Sequence, residues 1–368
     1  MKVYLRLSSH AIYEDLVKYP PPGVKYLYKT KTRGKGAERG SRNGLASVWR
    51  FYTNIRPPAI YVNAGGSDLI HSNAGVMILN KKPWVMDIED VDSLANFNYK
   101  MFDSPRYKKD ILSILNSKWC KCIMPYTFAA KKSIESKLPH IKGKLKVVYP
   151  AIHSTGFKKK KHEKTRLLFI STRFYEKGGP QILEAFEALS KKYDVELSMI
   201  TNAPPEYERK YKGNGIEFMK PILSREELFK NHYPSSDIFL FPTHFDTFGL
   251  VMLEAMNFGL PIITLREYST PEVVEDGKNG FLIDCKYVRD NFPQYSTVQE
   301  RMDFLKSKPQ KDVVKSMVEK CSFLIEDEKA RKMMGRSGKR MIEDGRFSIK
   351  QRNKSLKSIY LESIGQTS

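Results

Sequence analysis

DIFLFPTHFDTFGLVMLEAMNFGLPIIT, residues 237–264, runs from a strand through a polar bend into a helix and on to a second strand. The apolar run in DIFLFPT reads as a buried strand, because a parallel sheet covered on both faces needs continuous apolar residues. The helix is expected to start near Thr247 or Phe248. Asp246 then lies just before it, and Gly249 and Leu250 present first-turn N–H groups. One residue breaks the pattern. Glu254 has Leu250, Val251, Asn257 and Phe258 as its helical neighbours three and four positions away, and three of those four are apolar. Most glutamates face solvent. A buried one needs hydrogen-bond donors. Sugar or ribose hydroxyls would supply them, and so would the positive end of a neighbouring helix.

Strand and helix alternate on both sides of this stretch. Upstream lie the strand RLLFIST (166–172), the helix GPQILEAFEALSKKY, the strand VELSMIT and the segment GIEFMKP. The helix SREELFKNHY follows, with Ser224 as N-cap and Glu227 at the capping-box position. Downstream come a short helix after Thr270-Pro271, the turn DGKNG, the strand FLID and a mainly helical region over 296–362. The first half repeats the theme. VYLRL (3–7) is a strand, and HAIYEDLVKY is a helix stopped by Pro20, Pro21 and Pro22. VKYLYKT, AIYVN (59–63), GVMILN (75–80), PWVMDIED, KCIMPY and KVVYP read as further strands. Such alternation predicts parallel, doubly wound sheets. KKKKHEK, 158–164, reads as a linker between two series, so the expected domains are 1–157 and 158–345.

The chain has 368 residues, more than one core usually supports. It contains no apolar run long enough for a transmembrane helix. Its start lacks the apolar core of a signal peptide. Four cysteines suggest no disulfide framework, and Cys120-Lys121-Cys122 has no second ligand pair at metal-binding spacing. The cell interior is the expected compartment. A net charge of +22 favours anionic partners, although a generally lysine-rich composition produces the same excess.

FISTRFYEKGGPQILEAF, 169–186, is the second informative stretch. A strand enters a loop carrying Arg173 and Lys177, then Gly178-Gly179, then a helix. Helix N-termini and glycines admit phosphates, and the two cations strengthen that pull. An ordinary strand–helix turn with solvated charges fits equally. The stretch is neither a Walker loop nor a dinucleotide fingerprint. In the first half, Glu89 and Asp90 end a strand as a carboxylate pair, structural on the plain reading. His71 is a lone histidine in that half, and His244 lies beside Asp246.

These motifs together resemble the retaining GT-B glycosyltransferases of family 4, the glycosyl transferases group 1 type. The resemblance runs over about residues 145–285. It rests on the acid-x7-Glu pattern from Asp246 to Glu254 within P-T-x-x-D-T-F-G-L-x-x-L-E-A-M-x-x-G-x-P. R-x-x-x-K-G from Arg173, the later PEVVEDGKNGFLI and the tail RKMMGRSGKRMIEDGRFSIKQRNKSLKSIYLE add to it. It implies two Rossmann-like domains facing across a cleft, the final helix, about 346–368, crossing back to the first. It implies transfer of a sugar from a nucleotide-diphosphate sugar to a glycan, lipid or glycolipid hydroxyl, without cofactor or metal. Arg173 and Lys177 would clamp the diphosphate. Gly178, Thr247, Phe248, Gly249 and Leu250 would line the donor, Glu254 would bind ribose hydroxyls, and Asp246 would face the sugar. Glu89, with Asp90 next to it, stands where the family places its acceptor-side histidine and would orient or deprotonate the acceptor hydroxyl, with His71 a second acceptor-side candidate and His244 near the sugar. Asp246 is shorter than the usual glutamate.

The basic loop 29–44, followed by Trp49, Phe51 and Tyr52, would suit an anionic membrane surface. Peripheral attachment at an inner membrane face is therefore one expectation, and a solvated loop is the other. Two other functions stay open. A nucleic-acid substrate would exploit the positive charge, although the aromatic platforms of single-strand binders are not evident. A catalytically silent nucleotide-sugar-binding module would explain the missing histidine.

Overall fold

The computed structural model describes residues 1–7, 11–29, 52, 55–288, 298–308 and 310–366. Beyond Lys29 the basic loop 29–44, with Trp49 and Phe51, lies outside the described residues. The chain divides into two compact units, Met1–Ala151 with Ile349–Ser368, and Ile152–Ser348. KKKKHEK is therefore not a linker but part of the second unit. Lys159 Nζ bonds Ser236 O and lies 3.1 Å from Asp237, His162 lies 3.4 Å from the same carboxylate, and Lys160 N donates to Pro234 O. Asp237 neutralises part of a charge run that composition alone marks as solvated.

The first unit is built on a parallel sheet in the order β2 (Lys25–Leu27), β1 (Lys2–Leu5), β4 (Leu69–Ser72), β6 (Trp84–Ile88), β7 (Cys120–Pro125). Strands β3 (Ala59–Ile60) and β5 (Met77–Ile78) pair separately. AIYVN and GVMILN thus contribute two residues each to a side ladder, and the central strand is LIHS, whose polar residues hid it. KVVYP is not a strand: Lys146 and Val148 donate to β7, but only Leu145 forms a bridge with it. Side chains alternate across the sheet. Trp84, Met86 and Ile88 join the core beneath α2 (Pro105–Leu115) and α3 (Phe128–Lys137). Val3, Leu5, Leu69 and Val85 join the opposite core beneath α1 (Ala11–Lys18) and the last helix, Ile349–Ser363. That same alternation sends His71 and Asp87 to the second face.

The second unit has a six-stranded parallel sheet in the order β10 (Ile216–Met219), β9 (Val195–Thr201), β8 (Thr165–Ser171), β11 (Ile238–Phe241), β12 (Ile262–Leu265), β13 (Gly280–Ile283). Successive connections run one way from β8 through β9 to β10, and the other way from β11 to β13. The sheet therefore has its topological switch point between β8 and β11, where open parallel sheets bind ligands. Helix α4 (Gly179–Ser190) follows β8, α5 (Pro205–Tyr211) follows β9, α6 (Leu250–Asn257) follows β11, and α7 (Thr270–Val273) follows β12. Helices α8 (Val298–Ser307), α9 (Lys311–Glu326) and α10 (Glu328–Glu343) complete the unit, and α11 (Ile349–Ser363) belongs to the first. Helix α10 crosses very close to α6. A Cβ on Gly335 would lie 2.0 Å from Gly259 O.

Candidate active site

Two glycine-capped helices meet at the switch point. Gly178 caps α4 with φ 75°, and Gly249 caps α6 with φ 74°, both left-handed conformations that favour glycine. Gly178 is also fixed by space, since a Cβ there would lie 2.6 Å from Pro242. The helix expected from Thr247 or Phe248 begins only at Leu250. Asp246 Oδ1 accepts from Phe248 N at 3.1 Å, so Thr247 and Phe248 are held in a turn before the cap.

Lys177 and Asp246, from these two loops, form a close ion pair of 2.6 Å. Lys177 Nζ also donates to Thr243 Oγ1 at 3.2 Å and to Phe245 O. Asp246 N donates to Glu267 Oε2 at 3.3 Å. Burial pushes the Asp246 pKa up, but the Lys177 charge and hydrogen bonds from Lys177, Phe248 and Thr247 outweigh it, leaving the carboxyl below its ordinary value. Lys177 is thus a buried ammonium already occupied by a carboxylate.

Glu254 is only 5% exposed. Arg225 Nε donates to its Oε1 at 2.7 Å and Tyr233 Oη to its Oε2 at 2.9 Å. SREELFKNHY explains how both reach it. Ser224 caps one turn of α-helix, Arg225–Glu227, as its side chain accepts from Glu227 N. The chain then widens into a π-helix, Leu228–His232, and tightens into a 3₁₀ turn, Tyr233–Ser235. The carboxylate on the oily helix face is therefore paired within the protein.

Arg173 sits half exposed on the β8–α4 loop and donates from Nη1 to Glu176 Oε2 at 3.2 Å. Glu176 is fully buried and takes a second guanidinium, Arg301 Nε on α8, at 3.2 Å. Its backbone carbonyl accepts from His244 N. Arg301 stacks 4.2 Å from the Phe245 ring centroid. Sequence reading passed over Glu176, Arg301 and Glu267. Glu176 looked like one more surface charge in RFYEKGG, and no local signal links it to a residue on α8.

His244 is fully buried. Its Nδ1 lies 2.7 Å from Tyr287 O, so Nδ1 carries the proton. Nε2 has no partner among the described residues. Burial, opposed by the Tyr287 bond and aided by the Lys177 charge, brings its pKa down to about 4. The imidazole is neutral, with an acceptor lone pair unused.

In the first unit the strand-end acids separate. Asp90 is a cap: its Oδ1 accepts from Ser93 N at 3.0 Å and Ser93 Oγ at 3.1 Å, starting the 3₁₀ turn Val91–Ala95. That supports the structural reading of this residue. Glu89 is half-buried beside it. The centre of the polar cluster is Asp87, which sequence reading did not single out. Tyr13 and Tyr126 donate to its Oδ1 at 2.6 and 3.1 Å, and His71 Nε2 lies 3.1 Å from its Oδ2. His71 Nδ1 meets Tyr360 Oη at 2.7 Å. His71 thus bridges the sheet to α11. Cys120 and Cys122 lie buried in β7, and desolvation raises both thiols to about 12. Among the described residues no group of three or more His, Cys, Asp or Glu is arranged to hold a metal.

Known proteins match this architecture. Residues 164–292 match the family described as glycosyl transferases group 1. The capsular polysaccharide biosynthesis glycosyltransferase CapM of Staphylococcus aureus is 26% identical over 193 residues, covering 50% of this chain and 43% of that protein. The chain spans about half the length of the curated relatives it matches. A glycosyltransferase from Rickettsia africae has the same fold, with TM-score 0.66 and 11% identity over 100% of this chain and 99% of that one. Anabaena HepE, solved in complex with UDP-glucose, superposes with TM-score 0.59 and 14% identity over 98% of this chain and all of HepE. The fold is GT-B, with two Rossmann-like domains.

Proposed function

We propose that the protein is a retaining glycosyltransferase that moves a sugar from a nucleoside-diphosphate sugar to a hydroxyl acceptor, a glycan, lipid or glycolipid, without metal or cofactor. The observation that carries this reading is the Lys177–Asp246 pair, set between two glycine-capped helix N-termini at the switch point of the second sheet. Helix N-termini and a buried ammonium together favour an anionic diphosphate. The group 1 match and the UDP-glucose complex of HepE support the choice of ligand.

Lys177 and Arg173 would neutralise the diphosphate as it departs, the chief electrostatic contribution to such a reaction. The amides of the Thr247–Leu250 turn would face the donor phosphate or sugar. Glu254, held by Arg225 and Tyr233, would accept from ribose hydroxyls. Asp246 would turn from Lys177 to a sugar hydroxyl once phosphate takes the ammonium. His244 Nε2 would accept from another sugar hydroxyl. Glu89 remains the acceptor-side candidate, and the loop 29–44 would bring the chain to anionic lipid.

Thermal unfolding against UDP-, GDP- and ADP-sugars tests the donor site. A ligand at about 100 times its dissociation constant adds ~2.7 kcal/mol. One nucleotide sugar should stabilise the protein, and Lys177→Ala and Glu254→Gln should lose that effect. No response to any of them in folded protein would refute the donor site. Binding without nucleoside diphosphate release, over a panel of acceptors, would favour a silent binding module.

A further inference from the structure

We infer that Arg301, on α8, is a positioning residue of the donor site: it holds the charge of the buried Glu176, so that the Arg173 guanidinium is left for the diphosphate. Its role rests on the donor site proposed above. Arg301 lies beyond residues 164–292, the segment that matches the glycosyl transferases group 1 family. Glu176 is fully buried, and a carboxylate removed from water needs a charged, hydrogen-bonded partner. Two guanidiniums share it. Arg301 Nε meets its Oε1 and Arg173 Nη1 meets its Oε2, each at 3.2 Å. The two differ in burial, with the Arg301 side chain 5% exposed and the Arg173 side chain 52% exposed. Arg301 is therefore the fixed partner, and Arg173 is the one able to turn to a ligand. One negative charge between two positive ones leaves a single positive charge over, and it stays with Arg173.

Helix α8 reaches both donor loops. Arg301 stacks 4.2 Å from the ring centroid of Phe245, which lies between His244 and Asp246 in the chain. One turn further along α8, Phe304 meets the Tyr287 ring at 5.7 Å, and the Tyr287 carbonyl holds His244 Nδ1. Lys306 Nζ lies 4.5 Å from the Tyr175 ring centroid on the β8–α4 loop. The loops are also joined directly, by His244 N donating to Glu176 O at 2.9 Å and by the Lys177–Asp246 pair. Without the Arg301 charge, Arg173 is the remaining ion-pair partner of Glu176 among the described residues. Attraction between charges strengthens as water is excluded. Arg173 is then drawn down onto Glu176, and its charge is neutralised there instead of on a diphosphate.

Titration calorimetry with UDP, GDP and ADP tests this on the unaltered chain, Arg301→Gln, Glu176→Gln and the double variant. The nucleoside diphosphate that binds the unaltered chain is the probe for the other three. Arg301→Gln should weaken its binding at least about tenfold, the loss of one charge-assisted hydrogen bond. The double variant has the charge balance of the unaltered site and no carboxylate to hold Arg173. It should regain most of the lost affinity, although two buried groups have been changed. A helix that only packs would leave the double variant as weak as Arg301→Gln or weaker, and that result overturns the proposal. Arg301→Gln binding as tightly as the unaltered chain overturns it too, while leaving the donor site standing. Glu176→Gln alone should bind the probe more tightly, because the cluster gains a net positive charge. Equal or weaker binding there would show that Glu176 does not compete for Arg173, which decides the matter even where Arg301→Gln does not fold. An unaltered chain that binds none of the three removes the donor site itself, and with it this role for Arg301.

Discussion

His244 makes the stability of the second unit depend on pH, and its size follows from the structure. The native imidazole titrates at about 4, against 6.5 for the free side chain. Between these values the unfolded chain binds a proton that the native protein refuses, so stability rises with pH across this window and falls as pH drops through it. The full loss below both values is the 2.5-unit difference multiplied by about 1.36 kcal/mol per unit, or ~3 kcal/mol. Going only from about pH 7 to about pH 5, the same linkage gives ~2 kcal/mol, because the native ring is still neutral there. His244→Asn tests this. The amide nitrogen of asparagine replaces Nδ1 as donor to Tyr287 O, and the residue does not titrate. Urea unfolding of both proteins at the two pH values cancels the other histidines. The unaltered protein should lose ~2 kcal/mol more than the variant on acidification. Parallel losses in the two proteins would show that His244 is not held neutral by burial. Nitrogen NMR of the ring should show the Nδ1–H tautomer throughout this range.

Other predictions concern the charge pairs and the close helix crossing. Glu254→Ala takes the buried carboxylate away from Arg225 and Tyr233 and should cost ~3 kcal/mol by chemical unfolding, while Glu254→Gln should cost clearly less. Lys177→Ala should weaken nucleoside-diphosphate binding by about 10- to 100-fold, the loss of one charge-assisted hydrogen bond. Asp246→Asn should instead tighten binding of the free nucleoside diphosphate, because Lys177 no longer has a carboxylate to leave; calorimetry on the two variants reads both effects. Gly335→Ala places a methyl group against Gly259 O and should lower stability by about 1–3 kcal/mol, measured by thermal unfolding, without changing donor affinity.

Residues close in the chain were legible, and residues brought together by strand order were not. The apolar runs of RLLFIST, VELSMIT, DIFLFPT and PIIT mark buried parallel strands because both faces of such a strand must be apolar, a local requirement. The bends after β8 and β11 announce themselves through glycine, and the Asp246–Glu254 spacing is written in one stretch. LIHS was missed because its histidine and serine break the apolar run that identifies a central strand. The burial of Glu254 was readable from its helix, but not the identity of its partners, because Arg225 and Tyr233 reach it only after the preceding helix widens and tightens. Glu176 and Arg301, 125 positions apart, pair only because α8 packs beside the β8–α4 loop. Asp87 reaches His71 because β4 and β6 lie side by side with His71 opposite Val85, and alternation puts Asp87, two residues further along, on the same face. Local sequence determines which face a side chain takes and where a helix can begin. Which charge lies opposite it is decided by the order of the strands, and that order comes from the packing of the whole chain.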